Sequence, residues 1–597
     1  MASASAPARN AGAALQLLAA LRDRGLRHLV VCPGSRSAPL AVAAGLLEAG
    51  GVRLHTAIDE RSAAFFALGL GRAGGMPAAV ITTSGTAVAE LLPAAVEADH
   101  GTIPLLLLTA DRPARLKGCG ANQSVNQESF LRCSCRWVGQ GPGEGLAALE
   151  AGALARMAER ALAAALGDGG GGPAGPVHLN LPFEEPLHAD GAALLALGES
   201  LRLRAPVAPL APPAPQRSAA PEGAAPAAPE EVALDPDLPG VVVAGPWRGS
   251  PSAWPEHCAA LRRWQRRSGW PVLADVLSGL RGVPDLDVVA GYDLLLDRPP
   301  AGLAAPQVLR LGPLPASRRL ERWLAALGAV QDQVSEGDPR PLDPLGLVRH
   351  PYAGGLARWV AALPGDGVPS PGSQALARRW RTAERRLQRW LGAELEREPW
   401  GEPGLARALH GLLPEGLPLL LANSSPVRDW ETFSPADGPA RPVHSFRGAS
   451  GIDGTLSLAC GLAEELGRLV LVSGDLALLH DSNGWLWANQ LRGRLAVVVI
   501  DNGGGGIFEQ LPIRTDPDGA MDFERLFAMP QRVDACAMAA VHGVASRRVE
   551  RTAELGAALR WALAQPLALL SVATDRRADA ALRQRLRTMA AQDLAPP

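Results

Sequence analysis

The sequence predicts an α/β protein with three doubly wound parallel sheets. Short runs rich in Val, Leu and Ala alternate with longer Ala-rich stretches of helical composition. Several of these apolar runs end in polar turns, as expected where parallel strands reach the ligand-binding edge of an open sheet. A length of 597 residues exceeds what one hydrophobic core supports, so several domains are expected.

Residues 1–190 are predicted to form the first domain. The apolar stretch Ala11–Leu21 is interpreted as its first helix and not as a signal peptide, because charged residues follow without a small-residue cleavage site. Alternation of apolar runs with helical stretches then predicts five strands, which are His28–Cys32, Arg53–Ala57, Ala78–Thr82, Pro104–Thr109 and Val177–Leu181.

The rest of the chain is predicted to contain a linker and two further domains. Residues 191–238 are assigned to the linker, because 205–238 is dominated by Ala and Pro without apolar periodicity. A central domain is predicted at 239–365 and a last domain at 366–597. The Arg- and Trp-rich stretch Ala375–Leu395 is interpreted as a solvated helical connector.

Composition excludes several classes of protein. The formal net charge of -2 creates no field that favours nucleic acid or an anionic membrane. Seven cysteines in so long a chain do not suggest a disulfide framework, which indicates a reducing, cytoplasmic compartment. No apolar run reaches membrane-spanning length, so a soluble protein is expected.

The last domain contains two sets of oxygen donors at the ends of predicted strands. Asp475 follows the strand Leu469–Val472, and Asn502, 27 residues later, follows the strand Leu495–Ile500. A carboxylate, an amide and a backbone carbonyl from Gly503–Gly506 would form an oxygen site suited to Mg²⁺ beside a diphosphate. The alternative is a glycine-rich turn that binds nothing.

Polar groups also follow strands of the first domain. In PGSRSAPL, Ser35 and Arg36 lie between a strand and a helix, where they can bind an anion, although a simple turn is the alternative. Glu60 follows the next strand and could equally be a charge that favours a helix N-terminus. Arg112 follows a later strand, with Asn122 and Gln123 close behind it.

Two arginines of the last domain follow apparent strands. They are Arg428 in NSSPVRDW and Arg447 in SFRGASGIDG. Structural ion pairs explain them as well as substrate binding does.

The Asp475 motif resembles the diphosphate-binding motif of thiamine-diphosphate enzymes, with Leu476 in place of a usual Gly and Asp501 in place of a usual Asn. The order PGSRS, DER, TSGTAVAEL, TADRP, GANQ, NS…VR, RGASGIDG, GDL…LHD and GGGIF resembles the 2-succinyl-5-enolpyruvyl-6-hydroxy-3-cyclohexene-1-carboxylate synthase family of menaquinone and phylloquinone biosynthesis. The resemblance covers the first and last domains well and the middle poorly.

The resemblance implies a pyrimidine-binding domain at 1–190, a central domain at 239–365 and a diphosphate-binding domain at 366–597. It implies thiamine diphosphate and Mg²⁺, or Mn²⁺, as cofactors. The implied reaction decarboxylates 2-oxoglutarate and adds the product to isochorismate. A homodimer or a dimer of dimers is implied, with active sites between subunits.

The resemblance also assigns roles to residues. It implies that Glu60 hydrogen-bonds the aminopyrimidine ring, and that Asp475, Asn502 and the carbonyl of Gly504 bind the metal. Leu476, Ile507 and Phe508 would contact the cofactor. The substrate-binding positions are Ser35, Arg36, Arg112, Asn122, Gln123, Arg318, Ser424, Arg428 and Arg447.

One of these positions departs from the family, because Arg318 stands where the family has Lys. Two alternative functions stay open. One is another thiamine-diphosphate decarboxylase or carboligase, such as acetolactate synthase, and the other is a non-catalytic binding protein on the same fold.

Overall fold

The computed structural model of the chain describes residues 5–168, 172–202, 234–363, 367–515 and 521–593. These residues form three six-stranded sheets in which neighbouring strands are parallel, with helices alongside. The predicted α/β fold with three doubly wound sheets is confirmed. The limits predicted for the individual domains stay a prediction.

The first sheet has the order β2-β1-β3-β4-β6-β5. The five predicted strands are present, and the sixth, an edge strand, was missed because most of its residues are partly exposed and give no apolar run. The strands are β1 His28–Val31, β2 Arg53–Thr56, β3 Ala78–Thr82, β4 Leu105–Asp111, β5 Trp137–Gln140 and β6 Pro176–Pro182.

The central sheet has the order β12-β11-β10-β7-β8-β9. The third sheet, β14-β13-β15-β16-β18-β17, repeats the order of the first with each number raised by twelve. The strands are β7 Val241–Ala244, β8 Val272–Ala274, β9 Val288–Val289, β10 Gln307–Leu311, β11 Val330–Val334, β12 Val348–Tyr352, β13 Leu419–Leu421, β14 Val443–His444, β15 Arg468–Gly474, β16 Arg494–Asp501, β17 Ala545–Val549 and β18 Leu567–Ala573.

Helices connect the strands, as parallel pairing requires. They are α1 Ala6–Arg22, α2 Ala38–Glu48, α3 Glu60–Gly74, α4 Thr86–Ala89, α5 Leu92–Gly101, α6 Ala151–Leu166, α7 Gly191–Arg202, α8 Trp254–Ser268, α9 Tyr292–Leu295, α10 Arg318–Ala326, α11 Leu356–Ala361, α12 Pro371–Arg397, α13 Glu402–Leu412, α14 Ser425–Phe433, α15 Thr455–Leu466, α16 Asp475–His480, α17 Ala535–Val541, α18 Thr552–Ala564 and α19 Arg576–Asp593.

The chain divides into two compact units. The first unit holds the first sheet and comprises Met1–Gly223, Phe446–Gly467 and Asp481–Gly493. The second unit holds the central and third sheets and comprises Ala224–Ser445, Arg468–His480 and Arg494–Pro597. Central strands are buried on both faces, as in β4 and β6, where all seven residues of each strand are buried.

The prediction that Ala375–Leu395 is a solvated connector was wrong. Helix α12 buries a stripe of apolar side chains in a core of the second unit, among them Leu376, Trp380, Leu387 and Leu391. These residues recur at helical spacing, and the arginines occupy the opposite face. The prediction rested on the high arginine content of the stretch and overlooked the spacing of its apolar residues.

Three further predictions concern less regular features. The predicted linker 191–238 begins with α7, and most of its Ala/Pro-rich part lies outside the described residues. All seven cysteines are free thiols. Within the described ranges, no helix combines the length and the apolar character needed to cross a membrane.

The buried face of α12 predicts a large stability difference between two variants. Leu387→Ala leaves a cavity in the core and should lower the free energy of unfolding by about 2–5 kcal/mol. Arg385→Ala, on the exposed face, should change it by no more than about 0.5 kcal/mol. Urea unfolding followed by tryptophan fluorescence measures both. Equal losses in the two variants would contradict the packing of α12.

Candidate active site

Glu60 is the first residue of α3, in the first unit. Asp59 caps this helix, because its Oδ1 accepts a hydrogen bond from the backbone N–H of Ser62 at 3.1 Å. Its other oxygen accepts from Nδ2 of Asn483 at 2.8 Å. Burial raises the pKa of Glu60, and the charges of Asp59 and Glu90 raise it further. This carboxyl group therefore retains a proton more readily than an ordinary glutamate.

The start of α3 is fixed by its contact with α15. A Cβ on Gly69 would lie 2.5 Å from the carbonyl oxygen of Leu458, so the two backbones touch. The hydroxyl groups of Ser62 and Ser457 are 2.7 Å apart, and Nε1 of Trp487 donates to Ser62 at 2.9 Å. Trp487 was not among the predicted residues, because nothing near it in the chain marks it as a partner of α3.

Two buried arginines lie at the carboxyl edge of the first sheet. Arg36 follows β1 and donates to the carbonyl oxygen of Phe183 at 2.9 Å and to Glu185 at 2.7 Å, while its Nε is buried without a partner among the described residues. Arg112 follows β4. Burial lowers the pKa of Arg112, and the charge of Arg36 lowers it further. The two guanidinium groups therefore repel each other, the charges of Asp111 and Glu185 offset part of this repulsion, and a further anion would relieve more of it.

Gln123 is tied to the loop that follows β3. Its Nε2 donates to the carbonyl oxygen of Ser84 at 2.7 Å, and Nη1 of Arg112 donates to the Ser84 hydroxyl at 2.5 Å and to the carbonyl oxygen of Gln123 at 2.9 Å. Gln123 has a φ of 60°, a strained value for a residue with a side chain. Asn122 and Ser35 are exposed. The structure thus brings Arg112 and Gln123 into contact, and their role in substrate binding stays a prediction.

Arg447 lies on a loop of the first unit that Glu97 holds. The Glu97 carboxylate, 4% exposed, accepts hydrogen bonds from the backbone N–H groups of Gly448, Ala449 and Ser450 at 2.8, 2.7 and 3.3 Å. Ser450 has a φ of 61°. Glu97 was not among the predicted residues, although an acidic residue within the apolar stretch LPAAVEA was a signal that could have identified it.

Ser424, Arg428 and Arg318 belong to the second unit. Ser424 lies between β13 and α14 with a φ of 73°, and its carbonyl oxygen accepts from Nη1 of Arg428 at 2.8 Å. Both Ser424 and Asp475 follow adjacent strands, β13 and β15, where the third sheet reverses its strand order. Ligands bind at such switch points in open α/β sheets. Arg318 is exposed at the start of α10, on the central sheet.

Asp475 begins α16 at the end of β15. Its carboxylate accepts hydrogen bonds from the backbone N–H groups of Leu476 and Gly504, both at 2.8 Å. Burial raises the pKa of Asp475 to about 6, and the charge of Asp501 contributes to the rise. Leu476 contributes its backbone N–H, a group that any residue except proline would supply.

The glycine run allows close backbone packing. A Cβ on Gly504 would lie 2.3 Å from the carbonyl oxygen of Ala528, and Gly504 has a φ of 124°, so glycine is required there. Ile507 and Phe508 follow in a short 3₁₀ helix, Gly506–Gln510, with Phe508 38% exposed.

The donor set next to Asp475 fits a metal ion. Asn502 donates from Nδ2 to Glu402 at 2.5 Å, and its Oδ1 is buried without a partner among the described residues. A buried acceptor without a donor is unfavourable unless a cation or a donor meets it. No group of three His, Cys, Asp or Glu residues in the described part of the chain could hold a metal. One carboxylate, one amide and one carbonyl would therefore bind Mg²⁺ only with further oxygens, which a diphosphate supplies.

Two family models match the chain. The model described as "Thiamine pyrophosphate enzyme, N-terminal TPP binding domain" matches residues 12–130, and the corresponding C-terminal TPP binding domain matches residues 433–572. Thiamine pyrophosphate is another name for thiamine diphosphate.

Curated relatives match over nearly the full length. A 2-succinyl-5-enolpyruvyl-6-hydroxy-3-cyclohexene-1-carboxylate synthase of Synechococcus sp. (strain RCC307) is 55% identical, and the match covers 97% of each chain. Synthases of the same name from Parasynechococcus marenigrum (strain WH8102) and Prochlorococcus marinus (strain MIT 9313) are 53% and 51% identical. The first match covers 96% of this chain and 100% of that protein, and the second covers 94% and 97%.

The raised pKa of Asp475 predicts how the ligand-free chain responds to pH. The folded chain holds this proton with a pKa of about 6, against an ordinary value of 3.8, so protonation favours the folded state. Stability relative to Asp475→Asn should therefore fall as the pH rises from 4 to 7, by at most about 3 kcal/mol. Unfolding midpoints of both proteins across this range measure it. A difference that stays constant with pH would contradict the assignment.

Proposed function

Because the chain belongs to the 2-succinyl-5-enolpyruvyl-6-hydroxy-3-cyclohexene-1-carboxylate synthase family of thiamine-diphosphate enzymes, we propose that it decarboxylates 2-oxoglutarate and adds the resulting carbon nucleophile to isochorismate. We further propose that it uses Mg²⁺, or Mn²⁺ in its place. The free thiols of all seven cysteines fit the reducing environment of a cytoplasmic enzyme.

The observation that carries this proposal is the buried pair Arg36 and Arg112. Both side chains are at most 8% exposed, and the charge of one lowers the pKa of the other. A guanidinium group whose pKa is lowered by a second guanidinium group favours an anionic ligand, and a carboxylate can accept two parallel hydrogen bonds from an arginine. Each proposed substrate carries more than one carboxylate.

Glu60 is the proposed catalytic residue. Its raised pKa suits a group that shares a proton with a ring nitrogen of the aminopyrimidine. The Asp59 cap and the contact of α3 with α15 hold Glu60 in one place, so the proton is shared at a fixed position.

Asp475, Asn502 and the carbonyl of Gly504 are the proposed metal ligands, and Leu476, Ile507 and Phe508 the proposed cofactor contacts. When bound, thiamine diphosphate supplies a thiazolium ring that accepts the electron pair released by decarboxylation. The partly exposed ring of Phe508 offers apolar surface that excludes water from this reaction.

The remaining proposed residues bind substrate through charge or hydrogen bonds. The strained backbones of Gln123 and Ser424 support a role at a binding site, because such strain persists mostly where ligands bind. The complete set is Ser35, Arg36, Arg112, Asn122, Gln123, Arg318, Ser424, Arg428 and Arg447.

The central sheet argues against a flavin-dependent carboligase. Its strand order reverses between β7 and β10, where dinucleotides bind in other α/β proteins. Here the carbonyl oxygen of Pro313 lies 1.6 Å from a Cβ built on Gly245, and the cavity at this edge measures about 30 Å³. That space holds about one water molecule and no flavin.

The proposed function is tested by an assay with both substrates. With 2-oxoglutarate, isochorismate, thiamine diphosphate and Mg²⁺, we expect one CO₂ released for each ring adduct formed. CO₂ release that yields only an aldehyde, with isochorismate present, would favour a simple 2-oxoacid decarboxylase. Failure to bind thiamine diphosphate and Mg²⁺ in calorimetry would favour a binding protein.

Glu60→Gln is expected to keep cofactor binding and to lose about 10²–10⁴-fold in kcat, because an amide cannot exchange the proton. Calorimetry measures the binding and CO₂ release measures the rate. Glu159→Gln, whose native side chain is 65% exposed on α6, is the matched control and should keep the wild-type rate. A wild-type rate in Glu60→Gln would remove Glu60 from the mechanism.

We also propose a homodimer, or a dimer of dimers, in which Glu60 of one subunit serves the metal site of another. Glu60→Gln and Asp475→Asn should each be inactive alone. After mixing in equal amounts and subunit exchange, about half of the pairs are hybrids. Each hybrid has one intact site and one site with both substitutions, so about one quarter of the wild-type activity should return. Inactivity of the mixture, with exchange verified by differently tagged subunits, would place each site within one chain.

A further inference from the structure

A cluster of buried charges lies behind Asn502 in the second unit. It consists of Glu402 at the start of α13, Asp429 on α14, and Asp579 and Arg583 on α19. Each is at most 3% exposed. Three acidic residues and one arginine in so dry a place are costly to bury, and no role for them follows from the proposed ligand set.

The cluster holds Glu402 in a single position. One carboxylate oxygen, Oε1, accepts from Nδ2 of Asn502 at 2.5 Å, and Oε2 accepts from Nη2 of Arg583. Arg583 is held in turn by Asp429, which accepts from its Nε at 2.7 Å. The backbone N–H of Glu402 donates to Asp579 at 2.9 Å. The carboxylate and the backbone of Glu402 are therefore both fixed.

This position decides which way the amide of Asn502 points. An amide has one donor end and one acceptor end. The NH₂ group of Asn502 donates to Oε1 of Glu402, whose other oxygen accepts from Arg583, so Oδ1 faces away from Glu402. Oδ1 is the buried atom that has no partner among the described residues. Glu402 thus binds the donor end of the amide and leaves its acceptor end for another group.

We infer that Glu402 is a positioning residue that orients the Asn502 oxygen toward the metal ion, and that Arg583 and Asp429 hold Glu402 in place for this purpose. The inference rests on the proposed metal site. Partners behind the ligands commonly fix ligand orientation in metal proteins, and their loss typically weakens metal binding about 10–100-fold.

Glu402→Gln tests the inference with little change in size. The new amide at position 402 can turn its NH₂ group toward Asn502, and Asn502 would then rotate and turn its own NH₂ group toward the metal. The apparent Kd for Mg²⁺ at saturating thiamine diphosphate, measured by calorimetry, should rise about 10–100-fold. The free energy of unfolding of the ligand-free variant, measured in parallel, separates weaker Mg²⁺ binding from a loss of folding.

A second substitution should rescue the first. In Glu402→Gln with Asn502→Asp, the new carboxylate accepts from the new amide with one oxygen and keeps the other for the metal. Formal charge is unchanged. Asn502→Asp alone places two carboxylates face to face and should bind Mg²⁺ more weakly than the double variant. This comparison also decides the matter if Glu402→Gln alone does not fold.

Glu384→Gln is the matched control, because Glu384 is also buried in the second unit but accepts from the backbone of Ala290 and Gly291. It should lower stability and leave the Kd for Mg²⁺ unchanged. Unchanged Mg²⁺ binding in Glu402→Gln, or a double variant no better than Asn502→Asp, would overturn the inference. If Asn502→Ala binds Mg²⁺ like the wild type, the proposed metal site itself fails.

Discussion

The backbone contact between α3 and α15 is the constraint on which the candidate site of the first unit depends. The helices meet at Gly69 and Gly461, where a Cβ on either residue would lie within 2.5 Å of a carbonyl oxygen of the other helix. Glu60 begins α3, and the RGASGIDG segment leads into α15. One packing contact therefore fixes two functional segments that are far apart in the sequence. The hydrogen bond between Ser62 and Ser457 fixes how the helices are aligned.

Each of the two units holds candidate ligand-binding groups in states that are unfavourable without ligands. Arg36 and Arg112 repel each other, Asp475 is a buried acid beside Asp501, and Asn502 has a buried oxygen without a donor. Each arrangement costs folding free energy, and each would be relieved by a ligand of opposite charge. The proposed ligands have the charges that would relieve these states. Carboxylates would pair with the arginines, and a cation would pair with the oxygens of Asp475 and Asn502. The groups within each unit are pre-organised, because the folded chain has already oriented them before binding.

Elements of the fold could be predicted where a local sequence pattern determines them. The strands that precede Asp475 and Asn502 are continuous apolar runs, and the polar residues follow at their ends, so the sheet edge could be predicted. Helix α12 was misread because its arginines dominate the composition while the spacing of Leu376, Trp380 and Leu387 carries the structure. The edge strand β5 was missed because most of its residues are partly exposed and give no apolar run.

The sequence alone determined the fold class, the order of the motifs and the chemical type of each candidate residue, because strand and helix periodicity and residue chemistry are local properties of the chain. Only the tertiary structure decided which groups support them. Glu97 lies more than 300 residues from the loop it holds, and Glu402 lies 100 residues from Asn502. Such pairs come into contact only after the sheets and helices have packed. The role of a buried carboxylate can therefore be inferred only from the hydrogen-bond donors that surround it in the folded chain.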